Sequence, residues 1–176
     1  MIIVTGDAKV GKTTVCLKVI QLLDSRNYNC EGILSLKCES GNIEVFDISS
    51  KEKKLLAVSD SNSELRKKLQ DKMFKFCGFW FLYEGIDFSN KVISKASPGN
   101  YLFIDELGPL ELNNKGFTAA LKVIASHEFT KSIITVRKSL LSLYIERLKS
   151  PYEIFETNDD NRNNIAENIF KKITLS

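Results

Sequence analysis

The sequence predicts an α/β fold in which helices cover both faces of a mostly parallel central sheet. Two observations lead to this prediction. Short apolar runs alternate with segments of helical periodicity along the chain, and the first apolar run leads directly into a glycine-rich loop and a helix. No repeat or flexible linker interrupts the alternation, so we expect a single domain over residues 1–176.

The elements begin with a buried strand and a long helix. Residues 2–4 are wholly apolar, and the apolar positions of residues 12–23 recur at helical spacing. Residues 43–48 and 54–58 predict two short strands joined by a polar turn. We therefore expect a small excursion from the parallel sheet over residues 32–58, with these two strands antiparallel.

Further elements are predicted around the middle of the chain. Helix signals at 61–72 precede an aromatic run at 74–81, which we interpret as one strand, with an aromatic face for a base or a partner as the alternative. Residues 101–104 show no alternation and predict a strand that is buried on both faces. Apolar residues between 117 and 124 follow helical spacing.

The last part of the chain continues the alternation. Residues 133–136 predict a strand, residues 141–148 a helix and residues 152–155 a short strand. A closing helix carries one apolar stripe at positions 165, 169 and 173, with Asn158 or Asp159 as its expected N-cap.

Composition restricts the classes of protein to consider. Hydrophobic residues make up 43% and charged residues 27%, which excludes a disordered or collagen-like chain. No apolar run approaches the ~20 residues of a membrane span and the start does not look like a secretion signal, so we expect no membrane partner and a cytoplasmic location. The net charge of +3 does not favour nucleic acid as a partner. The cysteines form no Cys-x-x-Cys pair, which predicts reduced thiols, and the single histidine, His127, is predicted to be solvated.

A phosphate-binding loop is indicated by the pattern G-x-x-x-x-G-K-[ST], which lies between the first strand and the first helix. Its glycines allow the backbone N–H groups to point inward at an anion, and the helix start adds a positive dipole. Lys12 is expected to reach the β- and γ-phosphates, Thr13 to bind Mg²⁺ and Thr14 to contact the α-phosphate. The predicted nucleotide-binding residues of this loop are Gly6, Asp7, Ala8, Lys9, Val10, Gly11, Lys12, Thr13 and Thr14.

Lys9 stands where many such loops carry a third glycine. If the position requires a positive φ, a lysine costs about 1 kcal/mol there, which a folded domain tolerates. The lysine would also add positive charge near the phosphates.

Two carboxylates follow the buried strand at 101–104. Asp105 lies at the carboxyl end of that strand, beside the expected phosphate loop, where it could hold a Mg²⁺-bound water. Glu106 is placed to polarise an attacking water as a general base. Together with Gly108 the pair also fits the D-x-x-G pattern of GTPases, but the nearest candidate for their guanine motif has Asn158 where lysine should stack on the base.

The sequence resembles the thermophile-type, cancer-related nucleoside-triphosphatase family. The resemblance is carried by the phosphate loop, by the run F-I-D-E-L-G-P-L-E-L at 103–112, and by Asn161 and Arg162, which are expected to open the last helix. It implies a RecA-like P-loop NTPase fold, Mg²⁺ as cofactor, and hydrolysis of ATP, GTP, CTP and UTP with loose base selectivity. The family roles carry over to Lys12, Thr13, Asp105 and Glu106, whereas Glu111 matches the motif without an assigned role. Between residues 32 and 58 the family's Arg-x-Gly-Phe pattern is missing.

Three further residues are candidates for the nucleotide site. Arg137 follows the strand at 133–136 and is expected at the edge of the sheet near the γ-phosphate, where charge must be stabilised. Asn161 and Arg162 follow the last strand, where P-loop proteins often hold the base or the ribose.

Two other functions stay open at this point. A small-molecule or nucleotide kinase would replace water by an acceptor, although few arginines are present to clamp one. A nucleotide-gated binding module would hydrolyse slowly and would engage a partner through the basic residues at 51–75 or through the aromatic run.

Overall fold

The computed structural model describes residues 1–126, 131–148 and 151–175. His127 and the prediction about it therefore lie outside the described residues. The strands are β1 (Ile2–Gly6), β2 (Cys30–Lys37), β3 (Ile43–Asp47), β4 (Lys53–Ser59), β5 (Met73–Phe76), β6 (Phe79–Leu82), β7 (Tyr101–Leu107), β8 (Ser132–Arg137) and β9 (Glu153–Glu156). The α-helices are α1 (Lys12–Asp24), α2 (Ser63–Leu69), α3 (Tyr83–Ser94), α4 (Pro109–Leu112), α5 (Thr118–Ala125), α6 (Leu141–Leu148) and α7 (Ile165–Leu175).

The strands form one mixed sheet in the order β5-β6-β4-β3-β2-β7-β8-β1-β9. Strands β2, β7, β8, β1 and β9 are parallel to one another, whereas β3, β4, β6 and β5 continue the sheet in antiparallel pairs. The carboxyl ends of parallel strands meet at one edge of a sheet, which is where ligands bind in such folds. Gly6 at the end of β1 is the register partner of Arg137 at the end of β8.

Helices pack on both faces of the parallel strands, as predicted. Successive residues of β1 enter different cores: Val4 packs with α1 and α7 residues, and Ile3 packs with residues of α3, α5 and α6. The same alternation holds in β7, where Phe103 and Ile104 are both fully buried on opposite faces. This double burial explains why these strands read as continuous apolar runs.

The antiparallel excursion is present but larger than predicted. Strands β3 and β4 pair antiparallel within the expected segment. The excursion continues beyond it, because β6 pairs with β4 and β5 pairs with β6. These strands extend the sheet beyond β2, on the side opposite β9.

The prediction of one strand for the aromatic run is wrong, since the run folds into the hairpin β5–β6. The turn consists of Cys77 and Gly78, with φ of 46° and 80°. A two-residue hairpin turn of this kind needs positive φ at both central residues, which glycine adopts freely and cysteine does not. Phe76 and Phe79 face each other directly across the turn.

The expected start of the closing helix is also wrong, because α7 begins at Ile165. Neither Asn158 nor Asp159 is therefore its N-cap, and Asn161 and Arg162 precede the helix instead of opening it. The side chain of Asn158 instead accepts hydrogen bonds from the N–H groups of Asp160 and Asn161 and so closes a turn before the helix. Strand β2 and helix α3 were not predicted from the sequence. In the described ranges no helix has the length and apolarity to cross a membrane.

Candidate nucleotide site

The loop between β1 and α1 contains the positive φ angles that an anion-binding nest requires. Gly6 has a φ of 151° and Gly11 a φ of 103°, so the two glycines supply the left-handed turns that enclose the loop. Lys9 also has a positive φ, of 67°, which confirms that a strained lysine occupies the third-glycine position. Asp7, Ala8 and Lys9 are exposed, and α1 starts at Lys12.

Lys12 points back into this loop. Its side chain is only 6% exposed, and Nζ donates to the carbonyl oxygens of Gly6 at 3.1 Å and Asp7 at 2.6 Å. Burial lowers the pKa of Lys12, and the nearby carboxylates of Glu106 and Asp105 oppose this effect. The lysine is thus held within the loop that the motif predicts to bind phosphate.

Asp105 is the centre of a buried hydrogen-bond network at the end of β7. Its carboxylate is 0% exposed; Oδ2 accepts from the Thr13 hydroxyl at 2.7 Å and from the Ser35 N–H at 3.2 Å. Its other oxygen, Oδ1, accepts from the Thr135 hydroxyl at 2.6 Å. Burial raises the pKa of Asp105, and the Thr135 and Thr13 hydroxyls oppose that rise. The sequence predicted Thr13 and Asp105, but not Ser35 and Thr135.

The backbone at Glu106 departs from regular β-strand geometry. It has a φ of 64°, and the register between β7 and β8 shifts between Ile104 and Leu107. The hydroxyl of Thr135 accepts the N–H of Glu106 at 2.7 Å, which fixes the backbone at this irregularity. The carboxylate lies 3.4 Å from the guanidinium of Arg137, and both side chains are partly exposed. The structure therefore brings the predicted Glu106 and Arg137 together, beside Lys12 and Asp105.

Glu111 anchors the loop that follows Glu106. It is 2% exposed; Oε2 accepts the N–H of Gly108 and Oε1 accepts the N–H of Phe117, each at 2.8 Å. The Tyr144 hydroxyl donates to the carbonyl of Gly108 at 2.7 Å. Both backbone polar groups of Gly108 are thus bound by the protein itself, so its predicted nucleotide contact stays a prediction.

Asn161 and Arg162 lie in the segment between β9 and α7, which packs against the phosphate loop. A Cβ on Gly6 would lie 2.4 Å from the carbonyl oxygen of Thr157, and one on Gly11 would lie 3.5 Å from Cδ of Arg162. Asn161 Nδ2 donates to the carbonyl of Glu156 at 2.8 Å. The segment is therefore adjacent to the phosphate loop, as the base or ribose prediction requires.

These features define a class of protein: an α/β domain with a glycine-rich loop after β1 and paired carboxylates at the carboxyl end of β7. The model of the NTPase family matches residues 1–170, and the chain belongs to this family. The resemblance seen in the sequence is thereby confirmed.

Individual relatives cover almost the whole chain. The curated nucleoside-triphosphatase THEP1 of Archaeoglobus fulgidus is 26% identical over 167 residues, 94% of each chain. That of Sulfurisphaera tokodaii is 29% identical over 174 residues, 98% of this chain and 94% of its own.

Two solved structures share the fold. The crystal structure of THEP1 from Aquifex aeolicus superposes with a TM-score of 0.72 at 18% identity, covering 98% of this chain and 99% of that one. The solution structure of a human cancer-related nucleoside triphosphatase gives a TM-score of 0.73 at 18% identity, covering 99% and 97%. The predicted P-loop NTPase architecture is therefore confirmed.

Proposed function

We propose that the protein hydrolyses nucleoside triphosphates to diphosphate and phosphate with Mg²⁺ as cofactor and loose base selectivity. The observation that carries the proposal is the convergence of Lys12, Thr13, Asp105 and Glu106 at the carboxyl ends of β1 and β7. The names of the curated relatives, nucleoside-triphosphatase THEP1, support the same activity.

In this proposal the loop and Lys12 bind the triphosphate. The backbone N–H groups of the nest and the N-terminus of α1 supply positive partial charge without any conformational change. Lys12 Nζ, which donates to loop carbonyls here, exchanges those bonds for phosphate oxygens. The lysine then stabilises the charge that develops on the leaving diphosphate.

The residues present fit a magnesium ion. Thr13 and Asp105 offer hard oxygen atoms only 2.7 Å apart, and Mg²⁺ prefers such ligands together with water and phosphate oxygens. Within the described ranges no group of three or more His, Cys, Asp or Glu residues could hold a metal by itself. This agrees with a cation that takes part of its ligands from the substrate. Bound there, Mg²⁺ would neutralise charge on the phosphates and polarise the bond that breaks.

Glu106 is the proposed general base. Its carboxylate is partly exposed and lies beside Lys12 and Arg137, so it can accept a proton from a water that attacks the γ-phosphorus. Arg137 is proposed to stabilise the negative charge on the transferring phosphoryl group, because from the end of β8 its guanidinium lies beside Glu106.

Asn161 and Arg162 are proposed to contact the base or ribose. Arg162 is half-exposed and is paired with the exposed Asp159 at 3.3 Å. Exposed side chains of this kind offer few fixed hydrogen bonds to a base edge, which supports loose base selectivity.

The test is phosphate release from ATP, GTP, CTP and UTP, each with Mg²⁺ and with excess chelator. We expect comparable turnover of several nucleotides that requires the metal, and loss of turnover in Lys12→Ala. A matched control is Lys18→Ala, because Lys18 lies further along α1 and contacts Asn163 instead. Turnover that is absent with all four nucleotides would overturn the proposed function.

A further inference from the structure

A largely apolar cavity of about 170 Å³ lies next to the proposed general base. Lys12, Glu106 and Arg137 contribute to its wall, and so do the aromatic rings of Phe76, Phe79 and Phe81 from the β5–β6 hairpin. The cavity thus joins the phosphate-binding side of the site to the antiparallel part of the sheet. A role for the cavity in the reaction rests on the proposed function, because it concerns the group that receives the γ-phosphoryl.

The cavity is larger than hydrolysis needs. A single attacking water requires roughly 10–15 Å³ of such volume, less than about a tenth of the space here, and the part beside Lys12 and Arg137 would also receive the γ-phosphate. The water must also be held by polar partners, whereas much of this wall is phenylalanine and aliphatic side chain. Cavities of this character bind apolar groups rather than water.

The charges in the wall decide what kind of molecule fits. Among the described residues that line the cavity, the charged ones are Lys12, Glu106, Glu111 and Arg137. Glu111 is bound to two backbone N–H groups, and Arg137 is paired with Glu106. A phosphorylated or carboxylated acceptor would need a cluster of arginine or lysine in addition to the lysine that serves the triphosphate. The lining therefore disfavours an anionic occupant, and its largely apolar character favours an uncharged one over a cation.

The aromatic walls come from a hairpin whose geometry is fixed by its own packing. The rings of Phe79 and Phe81 are 6.4 Å apart in an edge-to-face arrangement. Phe117 also lines the cavity and is 4% exposed. An apolar body placed among these rings would lose contact with water and gain ring contacts.

We propose that this cavity binds a small, uncharged alcohol with an apolar body, which accepts the γ-phosphoryl group in competition with water. The hydroxyl oxygen forms a bond to the γ-phosphorus while the bond from that phosphorus to the β,γ-bridging oxygen breaks. The hydroxyl proton passes to the carboxylate of Glu106, and the products are a nucleoside diphosphate and a phosphate monoester.

The experiment follows ATP with a radioactive γ-phosphate, in the presence of Mg²⁺ and one of three alcohols. Benzyl alcohol and isoamyl alcohol are the apolar probes, and glycerol is the polar control. We expect saturable formation of a labelled monoester with at least one apolar alcohol and only inorganic phosphate with glycerol.

A pair of variants ties the transfer to the cavity. Phe79→Ala removes part of the wall, so the ratio of monoester to inorganic phosphate is expected to fall about tenfold or more. Tyr152→Ala is the matched control, because Tyr152 is 41% exposed and lies just before β9, outside the cavity lining. This control is expected to keep the wild-type ratio. Circular dichroism and ATP binding verify that both variants are folded.

The outcomes separate this proposal from the function on which it rests. Inorganic phosphate alone with both apolar alcohols overturns the acceptor proposal and leaves hydrolysis standing. Equal transfer to glycerol, or an unchanged ratio in Phe79→Ala, also overturns it. If neither inorganic phosphate nor monoester forms, the proposed function itself fails.

Discussion

The hydroxyl of Thr13 donates a 2.7 Å hydrogen bond to the carboxylate of Asp105, 92 positions later in the chain. This bond joins the first turn of α1 to the end of β7, and so connects the phosphate loop to the paired carboxylates. The carboxylate is also held by Thr135 from β8 and by the backbone of Ser35 from β2. Three neighbouring strands therefore fix the group that is proposed to support the cation.

Thr135→Val should lower the affinity of the site for Mg²⁺. Valine fills the same volume but leaves Oδ1 of Asp105 and the N–H of Glu106 without their partner. Loss of a residue that orients a metal ligand typically lowers metal affinity by about 10–100-fold, and we expect an effect of this size here. A Mg²⁺ titration of phosphate release measures it.

Ser35→Ala is the control for that experiment. The Ser35 hydroxyl is 3.5 Å from the Asp105 carbonyl, too long for a strong bond, and the backbone N–H that binds the carboxylate is kept. The half-saturating Mg²⁺ concentration should stay near the wild-type value. Equal effects of the two substitutions would contradict the role given to Thr135.

Glu111→Gln should slow turnover and reduce stability. Glutamine has one acceptor oxygen, so either the Gly108 N–H or the Phe117 N–H would face an amide NH₂ group instead of an acceptor. An unsatisfied buried donor costs about 1–3 kcal/mol of unfolding free energy. We expect kcat to fall because the loop after Glu106 loses its anchor, and KM for ATP to change little. An unchanged kcat would show that Glu111 supports the fold only.

The raised pKa of Glu111 also fixes the direction in which its contribution to stability changes with pH. Burial raises the pKa of Glu111 above its ordinary value of 4.5, so the folded protein binds this proton more tightly than the unfolded chain. This contribution to stability is complete below pH 4.5 and is lost as the pH rises through the raised folded-state pKa. Denaturant unfolding at several pH values should therefore show the stability of the wild type relative to Glu111→Gln declining over this window. A difference that grows with pH would contradict the direction.

Arg162→Ala should weaken nucleotide binding. An exposed cation beside the phosphate loop contributes about 1 kcal/mol, which corresponds to a rise in Kd of roughly fivefold. Arg26→Ala is the matched control, because Arg26 follows the far end of α1 and lies 4.5 Å from the Phe170 ring. Calorimetric titration with ATP distinguishes the two. Equal Kd values for wild type and Arg162→Ala would remove this residue from the nucleotide site.

The thiols should react in an order set by the fold. Cys77 is exposed in the hairpin turn, whereas Cys16 is 1% exposed and burial raises its pKa well above the usual range. Burial and the neighbouring Asp24 raise the pKa of Cys30 to about 12, so little of its reactive thiolate exists at about pH 8. Mass spectrometry after iodoacetamide treatment should find Cys77 modified first and Cys16 last. Early modification of Cys16 would contradict its place in the core.

The phosphate loop and the carboxylate pair could be predicted because each is contiguous in the sequence. Lys12 and Thr13 follow a glycine pattern that is itself local, and Asp105 follows an unbroken apolar run. Ser35 and Thr135 give no such signal, since they join Asp105 only through the sheet order β2-β7-β8. Their role depends on pairing between strands that lie far apart in the chain.

The aromatic hairpin was missed for a different reason. Its alternation resembles one strand, and the turn at Cys77 requires a cysteine at positive φ, which propensity disfavours. The role of Glu111 depends on Phe117, which reaches it through the turn after α4. Local patterns therefore predict the candidate site residues, whereas long-range contacts decide how those residues are held.

The central claim is that Glu106 activates the water that attacks the γ-phosphorus. Its most direct test is Glu106→Gln, which keeps the size of the side chain but cannot accept the proton, with Glu64→Gln on the exposed face of α2 as control. We predict that phosphate release from ATP with Mg²⁺ falls about 100-fold or more while the Kd for ATP stays within about threefold. Wild-type turnover in Glu106→Gln, with ATP still bound, would contradict the account.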